Sequence, residues 1–259
     1  MESEGNSMYR FSLLFLKFIL FSMVGYVFEM TCCAIIDRKI TNRGFFCGPI
    51  IPIYGFGSLF LIYLLKPFSY DIKNLFTVIF LGMLITGTLE YFTSYFLEKI
   101  FHNKWWDYSR EKFNINGRVC LKNLFAFGLG TPIVLYVLNP SISHFLLQAK
   151  DSILIWSACI TLVIFLLDLI YSCVVAYNLR NHIIVVEDLK NEKLARLPGM
   201  LEKMLKKRIK GLHSYPKRLF TAFPTLFKGN EKEFELIKKL ETKEKAKRKK
   251  RRKKHKNVK

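Results

Sequence analysis

Residues 152–179 read SILIWSACITLVIFLLDLIYSCVVAYNL, and this apolar stretch decides the fold class. It contains a single charged residue, Asp168. The hydrocarbon core of a bilayer needs about 20 mostly apolar residues when they form a helix. Lipid offers no partner for backbone N–H and C=O groups, so a spanning segment must satisfy them internally. The stretch therefore predicts a transmembrane α-helix.

The same pattern recurs four times earlier in the chain, at about residues 11–36, 50–65, 74–97 and 124–138. Together the segments predict an all-α, polytopic transmembrane helix bundle of about five spans. The fourth segment is longer if residues 140–147 also lie in the membrane. Gly128, Gly130 and Pro132 predict either a kink or close helix packing within it.

The second segment is short for a span unless residues 45–49 contribute to it. Pro49, Pro52, Gly55 and Gly57 lie at its start. Proline removes a backbone donor and glycine adds conformational freedom, so we expect irregular backbone where this segment begins. Such backbone is tolerated at membrane depth only where it is buried in protein or lines a wet cavity.

Charge divides the chain into two parts. Residues 1–180 carry a net charge of +4, whereas residues 181–259 carry +17. We therefore predict a transmembrane helical domain over 1–180 and a basic cytoplasmic tail over 181–259. Within the tail, the leucine spacing predicts a helix over about 181–212 and a second helix is expected over about 231–247. The nearly all-basic run 245–259 predicts disorder.

The basic tail has two candidate partners, anionic lipid headgroups and nucleic acid. Its last run carries no aromatic side chain on which bases could stack. The membrane is also adjacent to it. We therefore predict that the tail contacts anionic headgroups of the lipid bilayer, and nucleic acid is disfavoured as a partner.

The basic residues also indicate the orientation. They concentrate in the loops after the first and third segments and in the tail. Cytoplasmic loops of membrane proteins carry such an excess of Lys and Arg. With five spans, the basic loops all fall on one side, which predicts a multi-pass plasma-membrane protein with its N-terminus outside and its C-terminus in the cytoplasm. Glu2 and Glu4 argue against a cleavable signal peptide.

Three carboxylates, Glu29, Glu90 and Asp168, lie within the apolar segments. Ionisable groups are costly in a bilayer, so each marks a candidate functional site. On the predicted topology, the long loop over residues 102–121 brings polar and aromatic side chains to the membrane face near Glu29 and Glu90. The candidate polar binding site consists of Glu29, Arg43, Glu90, Trp105, Trp106, Asp107, Asn116 and Arg118.

Two interpretations of this candidate site stay open. In one, the tryptophans form an interfacial belt and the charged groups form buried ion pairs, with Arg43, Lys104 or Arg118 as the cation. In the other, the residues bind a lipid headgroup or a small polar solute, or serve acid–base chemistry. For Asp168 alone, we favour a role in helix packing.

Several chemistries lack their sequence motifs. The chain contains no G-x-x-x-x-G-K-[ST] phosphate loop, no G-x-S-x-G elbow and no H-E-x-x-H pair. His102 and His144 have no partner at metal-ligand spacing. None of the six cysteines forms a C-x-x-C pair, and we expect them to be small buried hydrophobes. We therefore predict no catalytic residue, no metal ligand and no cofactor.

Five stretches carry a family resemblance. They are GYVFE at 25–29, NRGFFCGPIIPIYGFG at 42–57, LEY at 89–91, WWDYS at 105–109 and NINGRVCL at 114–121. On these motifs the chain resembles the bacterial family of ABC-transporter type IV permeases, also called CmpB-like membrane proteins. The resemblance covers roughly residues 15–140.

The resemblance implies a permease-like component of a transport system whose ATPase is a separate chain. It carries over no catalytic residues, and we favour a non-enzymatic role. Two other interpretations stay open on the residues alone. One is a membrane-embedded enzyme or lipid-binding protein acting on a lipid or isoprenoid at the cytoplasmic leaflet. The other is a scaffold that reads anionic lipid through its tail.

Overall fold

The computed structural model describes residues 2–38, 42, 44–68, 74–101 and 104–191 of the 259-residue chain. The helices in this part are α1 (Glu2–Asp37), α2 (Pro52–Leu64), α3 (Leu75–Phe101), α4 (Leu121–Pro132), α5 (Asn139–Leu147) and α6 (Asp151–Asn191). A 3₁₀ turn, Lys66–Phe68, follows α2. An antiparallel hairpin of β1 (Asn114–Ile115) and β2 (Val119–Cys120) precedes α4.

Four helical stretches within the described residues are long and apolar enough to cross a membrane: Ser7–Ile35, Leu75–Phe101, Leu121–Leu147 and Asp151–Tyr177. Their outward sides carry large apolar side chains, such as Phe76 with 87% of its surface exposed and Trp156 with 69%. Apolar surface of this extent is unfavourable in water and suits lipid tails. The predicted fold class, an all-α transmembrane helix bundle, is confirmed.

The second predicted span is only partly helical. α2 has 13 residues, which is about 20 Å at 1.5 Å per residue. Residues 44–51, which precede it, are not helical. Pro52 begins the helix, at a position where the missing N–H has no helical partner to lose. The N–H of Ile51 donates to the carbonyl of Ser22 at 3.2 Å, so α2 starts level with the middle of α1.

α2 packs tightly and antiparallel against α1, because small residues let the two backbones approach. A Cβ on Gly55 would overlap the Ser22 hydroxyl and the backbone carbonyl of Phe18. A Cβ on Gly25 would overlap the ring of Tyr54. The irregular segment 44–51 lies beside the second half of α1 and α2 lies beside its first half, so the two segments follow one another through the bundle.

α4 is antiparallel to α3, and glycines again mark the contact. Gly82 of α3 faces Thr131, while Gly128 of α4 faces Met83. After Pro132, the residues Ile133–Leu138 form a π-helical stretch that leads into α5. Proline removes an intrahelical hydrogen bond, and local π-helical adjustment can satisfy the freed backbone groups in a transmembrane helix.

α6 runs in the same direction as α1. Near its start, Leu154 shares a buried cluster with Leu16 of α1 and Leu146 of α5. Further along, the ring of Phe165 stacks on that of Phe46, with centroids 5.1 Å apart. Asp168 reaches the irregular segment still further on. This segment lies beside the second half of α1. Successive residues of α6 therefore contact successively later parts of α1 and its neighbourhood, and the two helices are parallel.

Residues Met1–Asn178 form one compact unit. Of the second unit, Leu179–Lys259, the structure describes the helical residues that continue α6 to Asn191. The remainder of the predicted tail, including the expected helix over 231–247 and the basic run 245–259, lies outside the described residues.

Candidate functional site

The first element of the site is a hydrogen bond between α1 and α2. The hydroxyl of Tyr54 donates to Oε2 of Glu29 at 2.8 Å. Gly25 lies one helical turn before Glu29 and leaves the space that the Tyr54 ring fills. On its other oxygen, Glu29 lies 3.8 Å from the Cys33 thiol. The small residue on α1 is therefore what brings a tyrosine of α2 onto the α1 carboxylate.

The second element is an equivalent pair between α3 and the loop that precedes α4. The hydroxyl of Tyr108 donates to Oε1 of Glu90 at 3.2 Å. Glu90 has only 6% of its surface exposed. The side chain of Asn123, in the first turn of α4, lies beside the same carboxyl group. Burial raises the pKa of Tyr108, and the nearby negative charge of Glu90 raises it further, so its hydroxyl remains a donor.

These two tyrosine–carboxylate pairs are neighbours. Glu29 lies close enough to both Glu90 and Tyr108 to interact with them electrostatically. Within the described part of the chain, no Lys or Arg side chain forms an ion pair with either glutamate. We call Glu29, Tyr54, Glu90 and Tyr108 the carboxylate–tyrosine cluster.

Arg118 is bound elsewhere. Its guanidinium pairs with Glu98 of α3 at 2.7 Å. It also lies 5.6 and 5.4 Å from the ring centroids of Tyr91 and Tyr95. Of the ion pairs that the sequence left open, the one with Arg118 as the cation is formed with Glu98 and not with Glu29, Glu90 or Asp107.

The polar loop residues build the hairpin that carries Tyr108. Asp107 accepts hydrogen bonds from the backbone N–H of Ser109, at 2.9 Å, and from its hydroxyl. The N–H of Tyr108 donates to the carbonyl of Gly117 at 2.7 Å. Asn116 and Gly117 both have positive φ, 53° and 69°, which fits the turn predicted for this dipeptide.

The remaining predicted site residues lie around this hairpin. Trp106 donates from Nε1 to the carbonyl of Arg118 at 3.0 Å. The side-chain amide of Asn116 donates to the hydroxyl of Tyr91 at 3.0 Å. Trp105 is buried against the rings of Phe45 and Phe101. Arg43 lies outside the described residues.

Asp168 forms a separate arrangement with the irregular segment before α2. Its Oδ1 accepts the N–H of Cys47 at 2.9 Å, and its Oδ2 accepts the N–H of Gly48 at 2.8 Å. The Ser172 hydroxyl also donates to Oδ1, at 3.1 Å. Asp168 therefore satisfies backbone donors that a helix would have satisfied internally.

The family model described as "Putative ABC-transporter type IV" matches residues 16–173, more than half of the chain. The chain belongs to this family. The resemblance inferred from the motifs is confirmed, and the match extends past residue 140 to include most of the fifth predicted span. Neither the comparison with curated proteins nor that with solved structures finds a match.

All four residues of the carboxylate–tyrosine cluster lie inside the range that matches the ABC-transporter type IV family. Sequence reasoning identified Glu29 and Glu90 but missed Tyr54, Tyr108 and Asn123 as their neighbours. Both tyrosines belong to the motifs GPIIPIYGFG and WWDYS. A tyrosine in a Pro- and Gly-rich apolar motif was the available signal, since a buried hydroxyl needs a hydrogen-bond partner.

Chemically, the cluster is an acidic site inside an apolar bundle. Its two hydroxyls are occupied as donors to the carboxylates. Among the described residues, no group of three or more His, Cys, Asp or Glu side chains is placed to hold a metal ion. The arrangement is suited to binding groups that donate hydrogen bonds or carry positive charge.

Proposed function

We propose that the chain is the permease-like membrane component of an ABC-type transport system whose ATPase is a separate chain. Family membership and the apolar helices support a membrane transport component. The observation that carries the finer proposal is the pair of carboxylates, Glu29 and Glu90, held by tyrosine hydroxyls inside the bundle. Charged groups kept in such surroundings are costly, and transport pathways are where membrane proteins retain them.

The proposed solute site has two layers. Glu29 and Glu90, with Tyr54 and Tyr108, contact the solute directly. The loop residues hold Tyr108 in place and form the surroundings of the site. They are Trp105, Trp106, Asp107, Asn116 and Arg118. Arg43 is included in the proposed site because of its position in the sequence.

We further propose that the protein is a multi-pass plasma-membrane protein with its N-terminus outside and its tail in the cytoplasm. The distribution of basic loops supports this orientation. The common direction of α1 and α6 supports an odd number of passes. On this orientation the carboxylate–tyrosine cluster lies in the cytoplasmic half of the bundle.

The tail, residues 181–259, is proposed to contact anionic lipid headgroups. Its net charge of +17 supports this, because each basic residue near an anionic surface contributes about 1 kcal/mol. Nucleic acid is the disfavoured alternative. Removing residues 245–259 is expected to weaken adsorption to anionic vesicles while leaving the transmembrane domain folded.

Affinity purification in mild detergent, followed by mass spectrometry, tests the central proposal. We expect an ATPase with a phosphate loop to co-purify in a fixed ratio with the chain. Coupled ATPase activity should fall in Glu29→Gln, whereas Glu111→Gln, at an exposed loop position, serves as the matched control. Purification without any ATPase, but with one lipid or isoprenoid species that is lost in Glu29→Gln, would overturn the permease role and support an enzyme or lipid-binding protein.

A further inference from the structure

Glu90 has one carboxyl oxygen that the described part of the chain leaves without a hydrogen-bond partner. Oε1 accepts the Tyr108 hydroxyl and the Asn123 side chain lies beside the carboxyl group, but Oε2 is buried and has no hydrogen bond within the described residues. An ionised carboxylate has room for about four hydrogen bonds over its two oxygens. Leaving one oxygen buried and unpaired is unfavourable unless another group supplies the missing donor.

Ser94 adds a second unpaired oxygen on the same face of α3. It follows Glu90 by four residues, and residues at this spacing are neighbours on a helix surface. Only 3% of its surface is exposed, and its Oγ has no partner among the described residues. A helical serine commonly bonds to the carbonyl four residues earlier, as Ser22 does with Phe18. Ser94 does not, so its hydroxyl remains available for a ligand.

The charge around these oxygens is negative. Glu29 lies within electrostatic range of Glu90. The tyrosine hydroxyls already donate to the two carboxylates. The guanidinium of Arg118 is directed to Glu98 through Nη1 and Nη2, and its buried Nε has no hydrogen-bond partner among the described residues. In the described part of the chain, Oε2 of Glu90 and Oγ of Ser94 therefore lack a positively charged partner with several hydrogen-bond donors.

We propose that Glu29, Glu90 and Ser94 bind the protonated amino group of a small organic amine. An ammonium group has one positive charge and three N–H donors. Two of these donors match Oε2 of Glu90 and Oγ of Ser94, and the negative charge of Glu29 lies close enough to Glu90 to attract the same cation. A multivalent metal ion fits less well, because no group of three acidic, histidine or cysteine side chains in the described residues is placed to hold one.

This proposal deepens the proposed function by naming the class of solute, and it rests on that function only for the step of transport. Binding itself is a property of this chain alone. The partner ATPase is therefore omitted from the binding experiment, so that the two proposals can fail separately. Amine binding without a co-purifying ATPase would overturn the permease role and leave the site standing. A co-purifying ATPase without amine binding would overturn the amine site and leave the permease role standing.

The experiment uses the purified full-length chain in nanodiscs of zwitterionic lipid, titrated with n-butylammonium chloride at constant ionic strength and neutral pH. Tetramethylammonium and sodium chlorides are the control titrants, because neither cation carries an N–H donor. We expect saturable binding of butylammonium by calorimetry and a rise in thermal stability. Neither control titrant should produce these effects.

Two variants locate the binding. Glu90→Gln keeps the side-chain shape and removes the charge, and we expect it to abolish the butylammonium signal. Ser94→Ala removes one acceptor and should weaken affinity about tenfold. Glu111→Gln is the matched control and should bind as the wild type does. Size-exclusion profiles test whether each variant is folded. If Glu90→Gln does not fold, the affinity of Ser94→Ala tests the site.

Three results would overturn the proposal. The first is no butylammonium binding to the wild-type chain. The second is binding of equal strength by tetramethylammonium or sodium. The third is unchanged binding in both folded variants, which would place the amine outside the cluster.

Discussion

Oδ2 of Asp168 accepts the backbone N–H of Gly48 at 2.8 Å, although 120 residues separate the two in the chain. With the Cys47 N–H on its other oxygen, the carboxylate completes the hydrogen bonding of backbone that is not helical. This explains how a 13-residue helix can serve as part of one pass through the bundle. The helix-packing role expected for Asp168 is thus one of joining α6 to the irregular segment.

Replacing Asp168 with alanine should destabilise the fold. The N–H groups of the half-buried Gly48 and the exposed Cys47 would lose their acceptor, and hydrogen bonds to a charged group contribute about 1.5–3 kcal/mol each. We expect a loss of about 2–4 kcal/mol, allowing for partial solvation of Cys47. Asp168→Asn should lie between alanine and the wild type, because its amide offers one acceptor oxygen. Thermal unfolding in detergent measures this, with Glu111→Gln, at an exposed position of the loop before α4, as control.

The α1–α2 contact gives a second prediction, with a control provided by another glycine. A Cβ on Gly55 would overlap the Phe18 carbonyl, which is backbone and cannot turn aside. Gly55→Ala should therefore cost at least about 1–3 kcal/mol, as overpacked sites do. A Cβ on Gly130 would meet nothing within 4 Å, so Gly130→Ala should be neutral or stabilising by up to about 1 kcal/mol. Equal melting temperatures for the two variants would contradict the close approach.

Arg118 gives a third prediction, about the end of α3. Its side chain is 13% exposed and that of Glu98 is 32% exposed, so the ion pair is only partly screened by solvent. Arg118→Ala should cost about 1–3 kcal/mol, between the values typical of exposed and buried pairs. Arg118→Lys should recover little of this, because a lysine does not provide the planar group that lies over Tyr91 and Tyr95.

The control for this contact is a double-mutant cycle. Glu98→Gln alone and together with Arg118→Ala gives the coupling energy between the two side chains. Arg110→Ala, at an exposed arginine of the same loop, should have little effect. Strictly additive losses for Arg118 and Glu98 would show that the ion pair contributes nothing to stability.

Tyr108 predicts the alkaline limit of stability. Because burial raises its pKa in the folded protein, the folded state keeps the phenolic proton at pH values where the unfolded state has lost it. The stability linked to this proton is fully present below about pH 10, the ordinary tyrosine pKa, and is lost as the pH rises toward the folded value. Stability of the wild type should therefore fall more steeply above about pH 10 than that of Tyr108→Phe.

Denaturant unfolding at a series of alkaline pH values measures this slope. Tyr63→Phe, at an exposed tyrosine of α2, is the matched control. Identical slopes for the wild type and Tyr108→Phe would mean that the Tyr108 hydroxyl is not buried against Glu90.

Hydropathy and turn residues predicted much of this architecture. Long apolar runs located the helices, and Pro49 with Pro52 located the irregular backbone before α2. The carboxylates Glu29 and Glu90 were also found, because charge within an apolar run is conspicuous. Hydropathy indicates depth in a membrane but not which side of a helix meets which neighbour. The partners of these groups therefore had to come from the structure.

The same limit explains the specific errors and omissions. Arg118 was one of three cations that could pair with Glu29, Glu90 or Asp107, since all were predicted to approach one membrane face. Its partner is Glu98, because the hairpin turn at Asn116 and Gly117 directs it there. The hydrogen bond from Tyr54 to Glu29 depends on the space left by Gly25, which becomes visible only when α1 and α2 are packed together.

The direction of the helices leads to a last prediction, on topology. α2 with the segment before it, α3, the α4–α5 stretch and α6 alternate in direction after α1, so α1 and α6 run the same way. The two ends of the bundle should then lie on opposite sides of the membrane. Fusions of alkaline phosphatase and of a fluorescent protein at Ser7 and after Lys259 test this. We expect phosphatase activity only at Ser7 and fluorescence only after Lys259. Signals on the same side would mean that residues 44–51 and α2 together do not cross the membrane.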